Sequence, residues 1–238
     1  MARNPTIKAI FFDFMGTCLD WHTPVLSALP DSIPPSIASS LAITWRHIYF
    51  DSNAARLAAS LPPEDIDITL RATLLSVVSS PQYAEYAPLF SEGVLRDCVG
   101  AFHRMPAWPD VPPAIEVLRA AGYEVFVFAN GTPRLQLDLC KSSGLKFDML
   151  FSSALLGVYK PARESYDKVL GMVKYKPEET VQVAAHAYDT RGAKAVGMRT
   201  VYVRRWTDDV NEDMEVVKGD NDVFLEDMSG LVEAIAAL

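Results

Sequence analysis

The sequence predicts an α/β protein, a doubly wound parallel sheet with an all-helical segment inserted after the first strand. Three observations carry this prediction. Short, almost continuously apolar runs recur at 7–13, 123–130, 180–185 and 200–205, the texture of parallel strands covered on both faces. Beyond residue 106 these runs alternate with helical patterns, the order of βαβ units with right-handed crossovers. From about Thr23 to Met105 no convincing strand pattern occurs.

Taken in order, "AIFFDF" ends the first strand on Asp13. Pro34-Pro35 then precede the long helical pattern "SIASSLAITWRHIYFDSNAARLAAS"; further helices are expected over 65–79 and in "EGVLRDCVGAFHRM". "DVPPAIEVLRAAG" has prolines in its first turn and Gly122 as its stop, a well-marked helix. Strand 123–130 ends in Asn130, helix 133–143 stops at Gly144, and a short strand covers 148–152. Helix 162–173 follows Lys160-Pro161. Strand 180–185, helix 190–197, strand 200–205, a strand in "DVFLE" and a C-terminal helix complete the chain.

The 238 residues suit one large domain, or a core with a smaller insert, and half of them are hydrophobic. The formal net charge is −8 and no basic run interrupts it, which argues against nucleic acid as a partner. Cys18, Cys98 and Cys140 are widely spaced and odd in number. They read as reduced thiols, so a cytoplasmic location is expected. No signal peptide and no membrane-spanning run are recognised. The four histidines lack metal-ligand spacing, and no zinc site is evident.

In doubly wound sheets, ligands bind at the carboxyl ends of the strands. Four such places carry polar residues: Asp13, Asn130, the pair His186/Asp189, and the loop holding Lys160. Asp13 reads either as a turn or capping carboxylate or as a nucleophile that attacks an electrophilic centre. Gly16 permits a tight turn, and Thr17 is placed to orient Asp13. Taken by position alone, Lys160 is a surface lysine, Arg46 a solvated helix residue and Asp189 a helix cap.

Four blocks in order, "FFDFMGTCLD", "VFANGTP", "VYKPARESY" and "AAHAYDTRGAKAVGM", with "TWRH" between the first two, resemble the haloacid dehalogenase superfamily. More narrowly, they resemble its type II 2-haloacid dehalogenases. The resemblance implies a Rossmann-like core from residues 1–19 and 106–238 and a helical cap from 20–105. It implies a hydrolase that displaces halide from short 2-haloacids through an aspartyl ester on Asp13, giving 2-hydroxyacids without metal or other cofactor. Lys160 would keep Asp13 ionised and face the substrate carboxylate, with Tyr166 behind it. Arg46, with Asn130, would receive the halide, because a guanidinium is permanently charged and weakly hydrated. Trp45 and Tyr49 would either wall that place or belong to the cap core. Asp189 would position Lys160 or the hydrolytic water.

Several positions depart from the family pattern. His186 stands where many relatives have asparagine, and would orient or deprotonate the ester-cleaving water. Met15 replaces an aromatic residue and Ala129 a serine, both beside the substrate. Phosphatases of the superfamily carry Asp-x-Asp in the first block and an acidic Mg²⁺ ligand in the fourth; here those places are Met15 and Ala185. A hard cation needs several oxygen ligands, whereas a departing halide needs neither the metal nor an acid. A phosphatase-like hydrolase and a non-catalytic binding protein on the same fold stay open as alternatives, and so does a homodimer.

Overall fold

A computed structural model describes residues 4–238. Its strands are β1 (Ala9–Phe12), β2 (Glu124–Ala129), β3 (Met149–Ser152), β4 (Thr180–Ala184), β5 (Arg199–Val203) and β6 (Val223–Leu225). They form one sheet in the order β3-β2-β1-β4-β5-β6, parallel throughout. Four helices lie in the insert that follows β1: α1 (His22–Ala28), α2 (Pro35–Ala58), α3 (Ile66–Val78) and α4 (Glu92–Ala101). The remainder are α5 (Val111–Ala120), α6 (Pro133–Ser143), α7 (Ser153–Leu156), α8 (Arg163–Val173), α9 (Ala187–Ala195), α10 (Met214–Asp220) and α11 (Leu231–Ala237).

All four residues of β1 are buried, because helices cover both faces of the strand. Ile10 and Phe12 pack on one face, into a core shared with α5 and with the helices of the insert. Ala9 and Phe11 point to the other, against Phe126, Phe128, Phe151 and the α8 residues Tyr166 and Val169. Register aligns Phe12 with Val127 of β2 and Val183 of β4. The residues just beyond these strand ends are therefore neighbours. The chain runs outward from β1 to β3 on one side and from β4 to β6 on the other, so the order reverses at β1, where a crevice opens.

The insert has its own packing. The Trp45 indole donates to the Leu70 carbonyl (3.0 Å) and the Thr73 hydroxyl (3.0 Å), and meets Phe102 edge-on at 5.0 Å. The two chain crossings into the insert run side by side: Asp20 N–H donates to Pro106 O (2.9 Å) and Trp108 N–H to Cys18 O (3.0 Å).

A second tie is His103, whose ring reaches Asp67 of α3 (2.9 Å) and Asp138 of α6 (3.0 Å). These two carboxylates raise its pKa from the ordinary 6.5, Asp67 first, against the opposing effect of burial. Arg134 and His103 hold Asp138 down to about 2, so it stays ionised across the neutral range. A raised folded-state pKa gives stability that is complete below the unfolded value and lost as pH climbs through the folded one. His103→Ala should therefore lower the melting temperature at pH 6 by about 1–3 °C and have less effect at pH 9, the scale of a half-exposed ion pair. Thermal melts at the two pH values measure this difference.

Helices α1, α7 and α10 were not anticipated from the sequence; each is four to seven residues long, too short for a 3.6-residue period to show. The helix expected at 190–197 begins instead at Ala187. Its first N–H is capped from a distance, by Asp209 Oδ2 at 2.6 Å. Asp189 consequently lies inside the first turn and is not the N-cap. Among the described residues no helix is long and apolar enough to cross a membrane, and all three cysteines are unpaired.

Candidate active site

The chain leaves β1 at Asp13, whose N–H still donates to Val183 O of β4 (3.0 Å). Gly16, at φ 88°, then reverses its direction. This turn swings Thr17 back toward Asp13. The Thr17 hydroxyl donates to Asp13 Oδ2 (2.7 Å) and accepts the N–H of Ala185 beyond β4 (2.8 Å). One hydroxyl thus ties the tips of two adjacent strands to the carboxylate.

Lys160 is placed by Asn130. The Asn130 amide brackets its main chain, accepting from its N–H (2.9 Å) and donating to its carbonyl (3.1 Å). The ammonium spends its three N–H groups on Asp13 Oδ1 (3.0 Å), Phe128 O (2.6 Å) and Asp189 Oδ2 (2.5 Å). Asp189 is held in turn by Gln182 (3.0 Å) and the Tyr166 hydroxyl (2.8 Å). Gly192 leaves room for that hydroxyl, since a Cβ there would lie 2.6 Å from it.

On the opposite side of Asp13 stands His186. Its Nδ1 is 3.0 Å from Asp13 Oδ2, and its Nε2 is 2.9 Å from Asp208 Oδ1. With a carboxylate at each nitrogen, both nitrogens must donate, so the ring is an imidazolium. Burial opposes that charge, yet Asp13 and Asp208 push the pKa up to about 10. Burial likewise opposes ionisation of Asp13, but Lys160 and then His186 hold its carboxyl far below the usual carboxylate range. Asp13, Asp189 and Asp208 thus lie among Lys160, His186 and Arg46, which offsets the cost of burying charge; burial raises the pKa of Asp189 against the pull of Lys160.

Arg46 reaches over from α2. It is 2 % exposed. One Nη donates to Met15 O at 3.3 Å, while Nε and the other Nη are buried with no partner. Its guanidinium carbon lies 4.5 Å from the Phe50 ring centroid and 5.4 Å from that of Tyr49. Arg46 closes a cavity together with Asp13, Met15, Tyr49, Phe50, Asn130, His186 and Tyr188. The cavity spans about 220 Å³, part of it open to solvent, and is narrow enough to hold roughly one water.

Residues 7–197 match the sequence profile of the haloacid dehalogenase-like hydrolases. The chain belongs to this hydrolase family. Among its relatives, (S)-2-haloacid dehalogenase 4A of Burkholderia cepacia is 26% identical over 204 residues, 84% of each chain. A phosphoglycolate phosphatase of Aquifex aeolicus is 24% identical over 197 residues, 82% of this chain and 83% of its own. The crystal structure of the L-2-haloacid dehalogenase PA0810 superposes with a TM-score of 0.82 at 26% identity, over 98% of this chain and 100% of that one.

In this haloacid dehalogenase-like hydrolase, Asp13, Thr17, Lys160, Asp189 and His186 come together in one cluster. Met15, Arg46 and Asn130 line the adjoining cavity. Tyr166 touches Asp189 rather than the cavity. Trp45 lies in the core of the insert, and the aromatic walls are Tyr49, Phe50 and Tyr188. Ala129 ends β2 and is buried, and it is not among the residues that line the cavity. The side chains at the phosphatase positions do not suit that chemistry: Ala185 offers Mg²⁺ no carboxylate, Met15 offers no acid, and Asp189 bonds Lys160, Gln182 and Tyr166. Among the described residues no three His, Cys, Asp or Glu side chains converge as metal ligands.

Sequence reasoning missed Asp208, Trp21, Gln182, Phe50 and Tyr188. Asp208 lies further past its strand end than Asp13 or Asn130, in a charged loop after β5 where nothing local marks it out.

Proposed function

We propose that this hydrolase is a 2-haloacid dehalogenase that works through an ester on Asp13. The observation that carries the proposal is a nucleophile and an anion receptor lining one narrow cavity. Asp13 is ionised there, and Arg46, which lines the same space, has two guanidinium nitrogens buried without a partner. An unsatisfied buried guanidinium N–H is costly, and an incoming anion relieves that cost. The names of the haloacid dehalogenase relatives support the same reading.

Asp13 attacks the α-carbon from the face opposite the halogen, so that centre inverts. The carbon–halogen bond breaks, its electrons leave with the halide, and Arg46 receives the anion. Lys160 holds Asp13 in its charged form and in one orientation. Water then cleaves the ester, freeing a 2-hydroxyacid and restoring Asp13. Residues 20–105 serve as the cap that keeps water out during attack, over the core of 1–19 and 106–238.

The test is halide release from a panel of 2-haloacids with EDTA present. The panel includes a 2-fluoroacid, because one similar structure, also 26% identical, is of a defluorinating L-2-haloacid dehalogenase. Release that persists in EDTA is expected. Phosphate-ester hydrolysis that appears only with added Mg²⁺, without halide release, would favour the phosphatase reading that the Aquifex relative suggests.

A further inference from the structure

The hydrogen bonds at Asp13 are unequally divided. Oδ1 accepts one, from Lys160, whereas Oδ2 accepts two, from Thr17 and His186. A carboxylate oxygen has two lone-pair sites, so Oδ1 keeps one free for attack and Oδ2 keeps none. On the covalent reading, on which this inference rests, the substrate carbon joins Oδ1 and Oδ2 becomes the ester carbonyl oxygen. Two donors already face it.

We propose that His186 is a cationic oxyanion donor for hydrolysis of that ester, and that Asp208 is the positioning residue that keeps its ring doubly protonated and aimed at Oδ2. Water adds to Cγ of Asp13, and the carbonyl electron pair moves onto Oδ2, between the Thr17 O–H and the His186 N–H. When the pair returns, the Cγ–Oδ1 bond breaks. Oδ1 leaves on the substrate carbon and takes one proton of the water, forming the hydroxyacid. The water oxygen stays on Asp13, and the second proton passes to solvent.

Asp208 sits in a built socket. It is 5 % exposed. Its Oδ2 accepts from Thr207 (2.7 Å) and from the Trp21 indole (3.1 Å), leaving Oδ1 for His186. Gly16 makes the space, since a Cβ there would come within 2.6 Å of the Asp208 carboxylate. Arg205, in the same loop, donates to Thr17 O (3.1 Å). Both donors to Oδ2 are thus fixed by the segment that follows β5. Asp189, by contrast, bonds Lys160 and Gln182 through Oδ2 and Tyr166 through Oδ1, and none of its hydrogen bonds reaches Oδ2 of Asp13.

Esterification removes the charge of Asp13. The groups that still face the His186 ring are Asp208 and Asp209 from the loop after β5, Arg46 and Phe50 from α2, and Tyr188 from α9. Arg46 opposes the ring charge and the two aspartates sustain it. Asp208 is then the only carboxylate bonded directly to the ring.

The test follows the mass adduct on the Asp13 peptide after rapid mixing with 2-chloropropionate and quenching. Parent, Asp208→Asn and His186→Asn are compared from pH 6 to 8. The adduct should form in all three. Its decay should be flat with pH in the parent, and slower by about 10- to 10³-fold in both variants. In Asp208→Asn the decay should slow further as pH rises and the ring loses its proton; in His186→Asn it should be slow and flat. Parental decay in either variant, pH-independent decay in Asp208→Asn, or a parental decay that accelerates with pH overturns the proposal while leaving the ester intact. Halide release with no adduct in the parent overturns the ester itself. Should Asp208→Asn fail to fold, the His186→Asn decay decides.

Discussion

Asp13→Asn should reduce halide release by about 10⁴-fold or more, the scale seen when a covalent nucleophile is removed. The amide keeps the shape of the carboxylate but not its charge, and its oxygen is a poor attacker of carbon. The fold should survive, because each neighbouring cation keeps a carboxylate: Lys160 retains Asp189 and His186 retains Asp208. The His186 pKa should fall from about 10, since Asp13 is its largest source of attraction. Ion chromatography of released halide, beside a thermal melt of the variant, checks both halves. A variant that melts like the parent and still turns over within tenfold of it would remove Asp13 as the attacking group.

Lys160→Met should damage the fold as well as the reaction. The ammonium is fully buried, and it separates two carboxylates while also satisfying the Phe128 carbonyl. Methionine has similar length and no charge, so Asp189 would lose its cation and Asp13 would keep His186 alone. Removing one partner of such a buried cluster costs about 3–5 kcal/mol, or about 6–20 °C in melting temperature for a chain of this size. The sign of its pH dependence follows from Asp13. In the parent its folded pKa is depressed, so its stabilisation is present above the unfolded carboxylate range and lost as pH falls through the folded value. The deficit of the variant should therefore be largest near neutrality and shrink toward pH 4, where the orphaned carboxylates take up protons. Calorimetry at pH 4, 5.5 and 7 measures the trend; a deficit below about 1 kcal/mol at pH 7 would mean that Lys160 does not hold the cluster together.

Much of this arrangement could be read from residue order. The run before Asp13 is apolar at every position because β1 is covered on both faces, and the polar residues past β1, β2 and β4 stand out against such runs. Other parts depend on pairings that no local pattern encodes. Asn130 clips the main chain of a residue thirty positions away, and its role as a brace for Lys160 exists only after folding. Helix α9 starts early because Asp209, more than twenty residues later, satisfies its first N–H. Asp208 sits in "RRWTDD", a segment that reads as an ordinary charged loop until the Trp21 indole and the bare backbone of Gly16 are brought beside it. Trp45 and Tyr49 lie four residues apart on one helix, yet one faces the interior of the insert and the other the cavity. Which aromatic does which was set by the helices packed on either side.

On the dehalogenase reading, a chamber with space for one water must widen before a haloacid of several heavy atoms can enter. Substrate then waits for a rarer, parted arrangement of the chain. Measured affinity is then weaker than the intrinsic value by the fraction of time spent parted, about tenfold if the chain parts for one tenth of the time. Selection at the doorway would thus act on how readily that arrangement forms, as much as on the chemistry of the molecule that waits outside.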